Sequence, residues 1–177
     1  MNQSRHPDQN LSVSSVKNNV YNLTLSEVCA YNKNYSHQYW FPGGLVPNPK
    51  DPTFAQMIAF IKADQTDEKL YVAGKYECNS MARDVYNNAS RAGIRCGIVD
   101  AWLAGEDDQH LNCFNTTDKG LVFIDCTDDP TPVTKNMPNC DDIVTVQVSI
   151  IYHPHSLYPP YVRDYTQGKI LGYKILW

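Results

Sequence analysis

The stretch from Tyr76 to Thr127 constrains the fold most, because a helix pattern and three strand patterns follow one another within it. Apolar or aromatic residues recur at spacings of three and four, which predicts an amphipathic helix, at Met81, Ala82, Val85, Tyr86 and Ala89. Gly93 follows where a helix commonly ends in a left-handed residue. The first strand pattern comes next, at Ile94, Cys96, Ile98 and Val99. We therefore expect Cys78 at or just before the first turn of a helix.

The other two strand patterns, within residues 109–127, flank a Thr-Asp-Lys-Gly turn at residues 117–120 and predict a β-hairpin. A loop of two or four residues sets Asn112 opposite Asp125, and His110 then shares a face with Asp125. A three-residue loop places His110 and Asp125 on opposite faces unless a bulge restores the alternation. We expect an even loop or a compensating bulge.

Three reactive groups are distributed over these elements. Cys78 lies at the predicted helix start, where unpaired N–H groups and the helix dipole favour a thiolate. His110 begins one hairpin strand and Asp125 ends the other. A thiol, an imidazole and a carboxylate are the parts of an acyl-transfer site. Taken singly, each fits a structural role better: a buried thiol, a surface histidine and a loop-capping carboxylate. Taken together, they favour catalysis.

These motifs resemble the transglutaminase-like core, a branch of the papain-like cysteine enzymes. The residues that carry the resemblance are Cys78-x-x-x-Ala82, Ala92-Gly93-Ile94-Arg95, His110 and the run from Gly120 to Thr127. The resemblance covers residues 54–130 and implies an α+β fold, in which a Cys-bearing helix packs on an antiparallel β-sheet. It implies Cys78 as nucleophile, His110 as general base and Asp125 as the residue that orients His110. Phe123 and Cys126 stand where the family often has Trp and Pro.

An oxyanion donor is expected beside the Cys78 backbone N–H, from a residue upstream of the helix. Trp40 is one candidate, because some members of the family use an upstream Trp, and Gln65 is another. A packed aromatic ring and a solvated amide are the structural alternatives for these two side chains.

The sequence around the core predicts further elements of one domain over residues 21–177, preceded by a polar segment at 1–20. A helix is expected from Phe54 to Ile61, with Asp51 or Thr53 as its N-cap. Residues 143–152 alternate and predict a long strand, and residues 169–177 predict a final strand. Both strands are expected to extend the sheet begun by the hairpin.

Composition excludes several classes of function. The 177 residues carry a net charge of −4 without a basic block, so we expect no nucleic-acid partner. The sequence contains no apolar stretch long enough to span a membrane. No cofactor or metal is expected, since His153 and His155 lack a third ligand and Asp128 and Asp129 fit a solvated loop better.

Thiol-dependent acyl transfer at amide bonds of a peptide or protein is therefore the leading function, with hydrolysis favoured over transamidation. The alternative is a non-catalytic surface binding or scaffolding module that retains the fold and a vestigial triad. Asn-x-Ser/Thr sequons, at Asn10, Asn22, Asn34, Asn88 and Asn115, favour an extracellular or cell-surface location. The start of the chain lacks an apolar signal core, which leaves a cytoplasmic location open. With Cys78 reserved for catalysis, five cysteines remain whose disulfide state the sequence does not fix.

Overall fold

The computed structural model describes residues 22–23, 48–127, 141–158 and 166–177, and these form an α+β fold, as predicted. Two helices and seven strands lie within these ranges: β1 (Asn22–Leu23), α1 (Phe54–Ala63), α2 (Cys78–Arg91), β2 (Gly97–Leu103), β3 (Gln109–Thr116), β4 (Gly120–Asp125), β5 (Asp142–Val144), β6 (Pro154–Ser156) and β7 (Ile170–Leu176). The strands form one sheet in the order β1-β7-β2-β3-β4-β5-β6. Neighbouring strands are antiparallel except β1, which runs parallel to β7.

Helix α1 begins with a capping box, in which two backbone N–H groups at the helix start find side-chain acceptors. The Thr53 hydroxyl accepts a hydrogen bond from the Gln56 N–H at 3.2 Å, and Gln56 Oε1 accepts one from the Thr53 N–H at 2.8 Å. Met57 and Ile61 form the buried face. The predicted helix is confirmed, and Thr53 rather than Asp51 is its N-cap.

Helix α2 is also confirmed, with its buried face at the predicted spacing of three and four residues. Met81, Ala82, Val85 and Ala89 are all buried against the sheet. The helix ends before Gly93, which has a φ of 73°, a conformation that costs glycine little because it has no Cβ. The Ile94 N–H then donates to the Ala89 carbonyl at 2.9 Å, which closes the helix end.

The β3–β4 hairpin forms, but the predicted even loop is wrong. Thr116 pairs with Gly120, so residues 117–119 make a three-residue loop, and the register sets Asn112 opposite Ile124 without a bulge. Gly120 adopts a φ of 73°, the left-handed conformation typical of such loops. Because strand side chains alternate, His110 and Asp125 consequently lie on opposite faces of the sheet.

Each face of the sheet carries its own apolar layer. The helix-side layer includes Met57, Val85, Phe114 and Ile124 in one cluster. The opposite layer includes Val99, Ala101, Leu111, Phe123, Tyr152 and Ile175. The even loop expected from the sequence predicts that Cys113 and Cys126 both face away from His110. Cys113 does so and belongs to the opposite layer. The same prediction for Cys126 is wrong, since it packs in the helix-side layer.

The predicted long strand over residues 143–152 is also wrong. Strand β5 spans Asp142–Val144, and the chain then turns around Ser149, which has a φ of 73°. The final strand is confirmed as β7, but it pairs with β2 on the far side of the hairpin from β5. Neither described helix has the length and apolar character needed to cross a bilayer.

Gly97 leaves no room for a side chain between β2 and its neighbours. A Cβ added there would lie 2.7 Å from Cys113 Sγ and 3.0 Å from the Ile175 side chain. We expect Gly97→Ala to lower the free energy of unfolding by about 1–3 kcal/mol through overpacking, measured by urea denaturation.

Cys113→Ala supplies the control for this prediction, because it removes the sulfur that a Cβ at Gly97 would meet. The double variant should lose less stability than the sum of the two single variants. Strict additivity would show that the close approach of Gly97 to Cys113 does not govern this position.

Candidate active site

Cys78 is the first residue of α2, at the end of the helix where backbone N–H groups have no intrahelical acceptor. The Ser80 N–H already donates to the Glu77 carbonyl, so the Cys78 and Asn79 N–H groups belong to the open end. Glu77 is the N-cap residue and its side chain makes no capping bond. The Cys78 side chain is half-buried. This position provides a partly accessible thiol beside the positive end of a helix dipole.

His110 lies directly beside this thiol. Cys78 Sγ is 3.6 Å from His110 Nδ1, which confirms the predicted contact between them. His110 projects from the start of β3 on the helix side of the sheet, with 16% of its side chain exposed. The distance is that of a loose hydrogen bond in a free enzyme, and it allows a proton to pass between sulfur and imidazole.

The carboxylate that contacts His110 is Asp100, which was not among the residues predicted from the sequence. His110 Nε2 lies 2.9 Å from Asp100 Oδ1. Asp100 is directly opposite His110 in the antiparallel pairing of β2 with β3, so their side chains meet as a cross-strand pair. Asp100 is buried and therefore has little access to water. The thiol, the imidazole and the carboxylate form a continuous row Cys78–His110–Asp100.

A buried lysine extends this row by one more strand. Lys174 Nζ lies 2.7 Å from Asp100 Oδ2, and Lys174 is opposite Asp100 in the pairing of β7 with β2. The two oxygens of Asp100 thus contact two different cationic partners. Lone charges in otherwise apolar strands are the sequence signal for this pair, since Asp100 follows Ile98-Val99 and Lys174 precedes Ile175-Leu176.

The electrostatics of the row favour charged groups. Burial acts against the imidazolium of His110, but the hydrogen bonds to Asp100 and Cys78 outweigh it and raise the pKa of His110 to about 10. Burial likewise acts against the Asp100 carboxylate, but His110 and Lys174 outweigh it and hold the pKa of Asp100 below its usual value. A protonated His110 beside Asp100 is therefore the resting state of the row at neutral pH.

Asp125 does not contact His110, so the predicted contact between these two residues is wrong. Its side chain is fully buried on the opposite face of the sheet, which follows from the three-residue hairpin loop. Asp125 Oδ2 accepts hydrogen bonds from the Tyr152 hydroxyl at 2.6 Å and from Gln109 Nε2 at 3.1 Å, and Oδ1 accepts one from the Thr127 N–H at 2.9 Å. These bonds tie the end of β4 to the segment after β5.

The structure describes one of the two candidate oxyanion donors, Gln65. Gln65 is exposed in the connection after α1, and its side chain makes no hydrogen bond within the described ranges. Trp40 lies outside the described residues. The N–H groups of Cys78 and Asn79 at the open end of α2 are the donors that this part of the structure offers to an oxyanion.

Asp84 fixes the segment that leads into Cys78. One of its oxygens accepts hydrogen bonds from Lys69 Nζ at 2.8 Å and from the Tyr76 hydroxyl at 2.9 Å. Burial opposes the carboxylate, but these two bonds outweigh that effect and lower the pKa of Asp84. Because Asp84 lies on α2 itself, these bonds hold the segment before Cys78 against the helix that begins at Cys78.

Within the ranges that the structure describes, no three or more His, Cys, Asp or Glu side chains are grouped so that they could hold a metal ion. The His153 and His155 ring centroids lie 4.5 Å apart, with the rings tilted by 52° to each other. Asp128 and Asp129 lie outside the described residues.

Substitution of Asp100 and substitution of Asp125 should affect the pKa of His110 differently. Asp100→Asn should lower the pKa of His110 from about 10, because the imidazolium loses its charged partner. Asp125→Asn, on the other face, should leave the His110 pKa unchanged. NMR titration of ¹³C-labelled histidine measures both. An equal effect of the two substitutions would contradict the assignment of Asp100.

The stability of the protein should follow the same linkage. The pKa of His110 is raised in the fold from 6.5 to about 10, so its contribution is fully present below about pH 6.5 and is lost as the pH rises through about 10. Denaturation between these pH values should show a stability decline in the wild type that is weaker in Asp100→Asn.

The cysteines should differ in reactivity. Cys78 is half-buried beside His110, whereas Cys96, Cys113 and Cys126 are buried and burial raises the pKa of each of these three thiols. Iodoacetamide at neutral pH should therefore modify Cys78 before these three thiols, as measured by peptide mass spectrometry of the folded protein. Modification of Cys113 at the rate of Cys78 would contradict this order, and the denatured protein supplies the control in which all thiols react.

No family model, curated protein or solved structure matches the chain. The geometry of Cys78, His110 and Asp100 is therefore the basis for a functional proposal. The sequence motifs around these residues add their resemblance to the transglutaminase-like core.

Proposed function

We propose that the protein is a thiol-dependent acyl-transfer enzyme that acts on amide bonds of a peptide or protein. The observation that carries the proposal is the row Cys78–His110–Asp100, in which Cys78 Sγ lies 3.6 Å from His110 Nδ1 and His110 Nε2 lies 2.9 Å from Asp100. A nucleophile, a base and a group that orients the base are the parts that such chemistry requires.

In the proposed reaction, the Cys78 thiolate attacks the amide carbonyl carbon and forms a C–S bond. The oxygen that gains negative charge is stabilised by the N–H groups of Cys78 and Asn79. The C–N bond breaks as protonated His110 gives its proton from Nδ1 to the leaving amine, which leaves a thioester on Cys78. Neutral His110 then takes a proton from water, which attacks the thioester and releases the acid and the Cys78 thiolate, so that thiolate and protonated His110 are restored.

The resemblance to the transglutaminase-like core supports this proposal and belongs to it. A cysteine at the start of a helix that packs on an antiparallel sheet, with a histidine at the start of a strand, fits the papain-like arrangement that the motifs imply. Asp100 comes from the strand before His110, whereas the resemblance implied a carboxylate on the strand after it. Hydrolysis is proposed rather than transamidation, because nothing in the described site marks a place for an amine acceptor.

An activated ester tests the chemistry without knowledge of the natural substrate. With p-nitrophenyl acetate, the wild type should release a burst of nitrophenol, and acid quenching should trap an acetyl group on Cys78 that hydroxylamine removes. Cys78→Ala should abolish the burst, and His110→Ala should slow turnover by about 10²-fold or more, as loss of general acid–base catalysis does. Peptide mass spectrometry locates the acetyl group.

Cys113→Ala is the matched control, since it removes a thiol on the opposite face of the sheet and should leave the burst unchanged. If Cys78 acylates no faster than the thiol of a free peptide, the enzyme proposal fails. That result would favour the alternative of a non-catalytic surface module with a vestigial triad.

A further inference from the structure

Lys174 is a buried charged side chain that is followed along β7 by two apolar residues. It is 6% exposed, and its neighbours along β7, Ile175 and Leu176, are buried at 1% and 2%. Its Nζ lies 2.7 Å from Asp100 Oδ2. Burying a lysine and an aspartate together costs desolvation energy that an apolar pair of similar size would avoid. The position of Lys174 therefore needs an explanation beyond packing.

The geometry relates Lys174 to the proposed site through Asp100. The charged and titratable groups along this row come one from each element: Lys174 from β7, Asp100 from β2, His110 from β3 and Cys78 from α2. Strand pairing fixes the order, because Asp100 is opposite Lys174 on one side and opposite His110 on the other. Lys174 thus contacts Oδ2 of Asp100, whereas His110 contacts Oδ1.

We infer that Lys174 is a positioning residue of the proposed acyl-transfer site, which directs Asp100 toward His110 and offsets the negative charge that His110 meets. The inference rests on the proposed function for its consequence in catalysis. A buried carboxylate with no other cation holds a neighbouring imidazolium strongly. Lys174 weakens that hold, so that His110 can release its proton to the leaving amine and afterwards accept one from water.

Lys174→Met should separate the two halves of the reaction. The pKa of His110 should rise further by about one unit, which reduces the neutral imidazole in the acyl-enzyme about tenfold. The acetylation burst with p-nitrophenyl acetate needs no proton for its leaving group and should remain. Steady-state turnover at neutral pH should fall about tenfold, with its pH profile displaced upward by about one unit.

Two variants make this test specific. Lys174→Arg keeps the charge and should restore both the His110 titration and the turnover. Lys169→Met removes an exposed lysine just before the same strand and should resemble the wild type in both measurements. A His110 titration and a pH profile in Lys174→Met that superimpose on those of Lys169→Met would overturn the inference.

The histidine titration also distinguishes failure of the inference from failure of the proposed function. If the wild type shows no acetylation burst, the proposed function fails, yet the titration of His110 in Lys174→Met still decides whether Lys174 acts on it. If Lys174→Met does not fold, the wild type supplies the decision. The ¹⁵Nζ resonance of Lys174 should shift as His110 titrates, and a resonance that does not respond would overturn the inference.

Discussion

The structure depends on how α2 is held over β2 and β3. Asn112 provides the main polar contact, because its Nδ2 donates to the Ala82 carbonyl in the helix at 2.9 Å and lies 3.3 Å from the Gly97 carbonyl in β2. Asn112 is two residues beyond His110, and Ala82 is four residues beyond Cys78. Two residues of strand and four of helix both advance about 6–7 Å, so the two contacts match. The contact between Cys78 and His110 is thereby set by the seating of a whole helix.

The charged row places a second demand on the sheet. Asp100 and Lys174 are both buried, and each would be costly to keep without a partner of opposite charge. Their pairing, and that of Asp100 with His110, requires three strands to be in register at one level. A slip of one residue in either pairing would turn one of these side chains to the other face. The row therefore specifies register as well as chemistry.

Local patterns predicted much of this arrangement. The helical spacing in α2 and Gly93 behind it located Cys78 correctly, since both signals act within a few residues. The threonine cap of α1 and the existence of the hairpin are local in the same sense. The contact of His110 with Cys78 follows from the nucleophile and base roles that the resemblance implies rather than from a local spacing.

The partner of His110 was not predictable in the same way. A difference of one residue in the length of the β3–β4 loop decides whether Asp125 lies on the same face of the sheet as His110 or on the opposite face. Asp100 comes from pairing with the preceding strand, and Lys174 from a strand more than sixty residues further along the chain. The strand predicted over residues 143–152 failed because alternation cannot reveal a turn such as the one at Ser149. Strand pairing and turn conformation, which the spacing of apolar residues does not record, decided these cases.

The central position of β2 between β3 and β7 has a consequence for how the site is assembled. Cys78, Asp100 and His110 lie within one compact stretch of sequence, but β7 closes the row from the far end of the chain. Contacts of large sequence separation form late, because closing a long loop costs entropy before the contact repays it. Until β7 pairs with β2, Asp100 contacts His110 without the charge of Lys174. The charge balance around the thiol is consequently complete only when β7 has paired with β2.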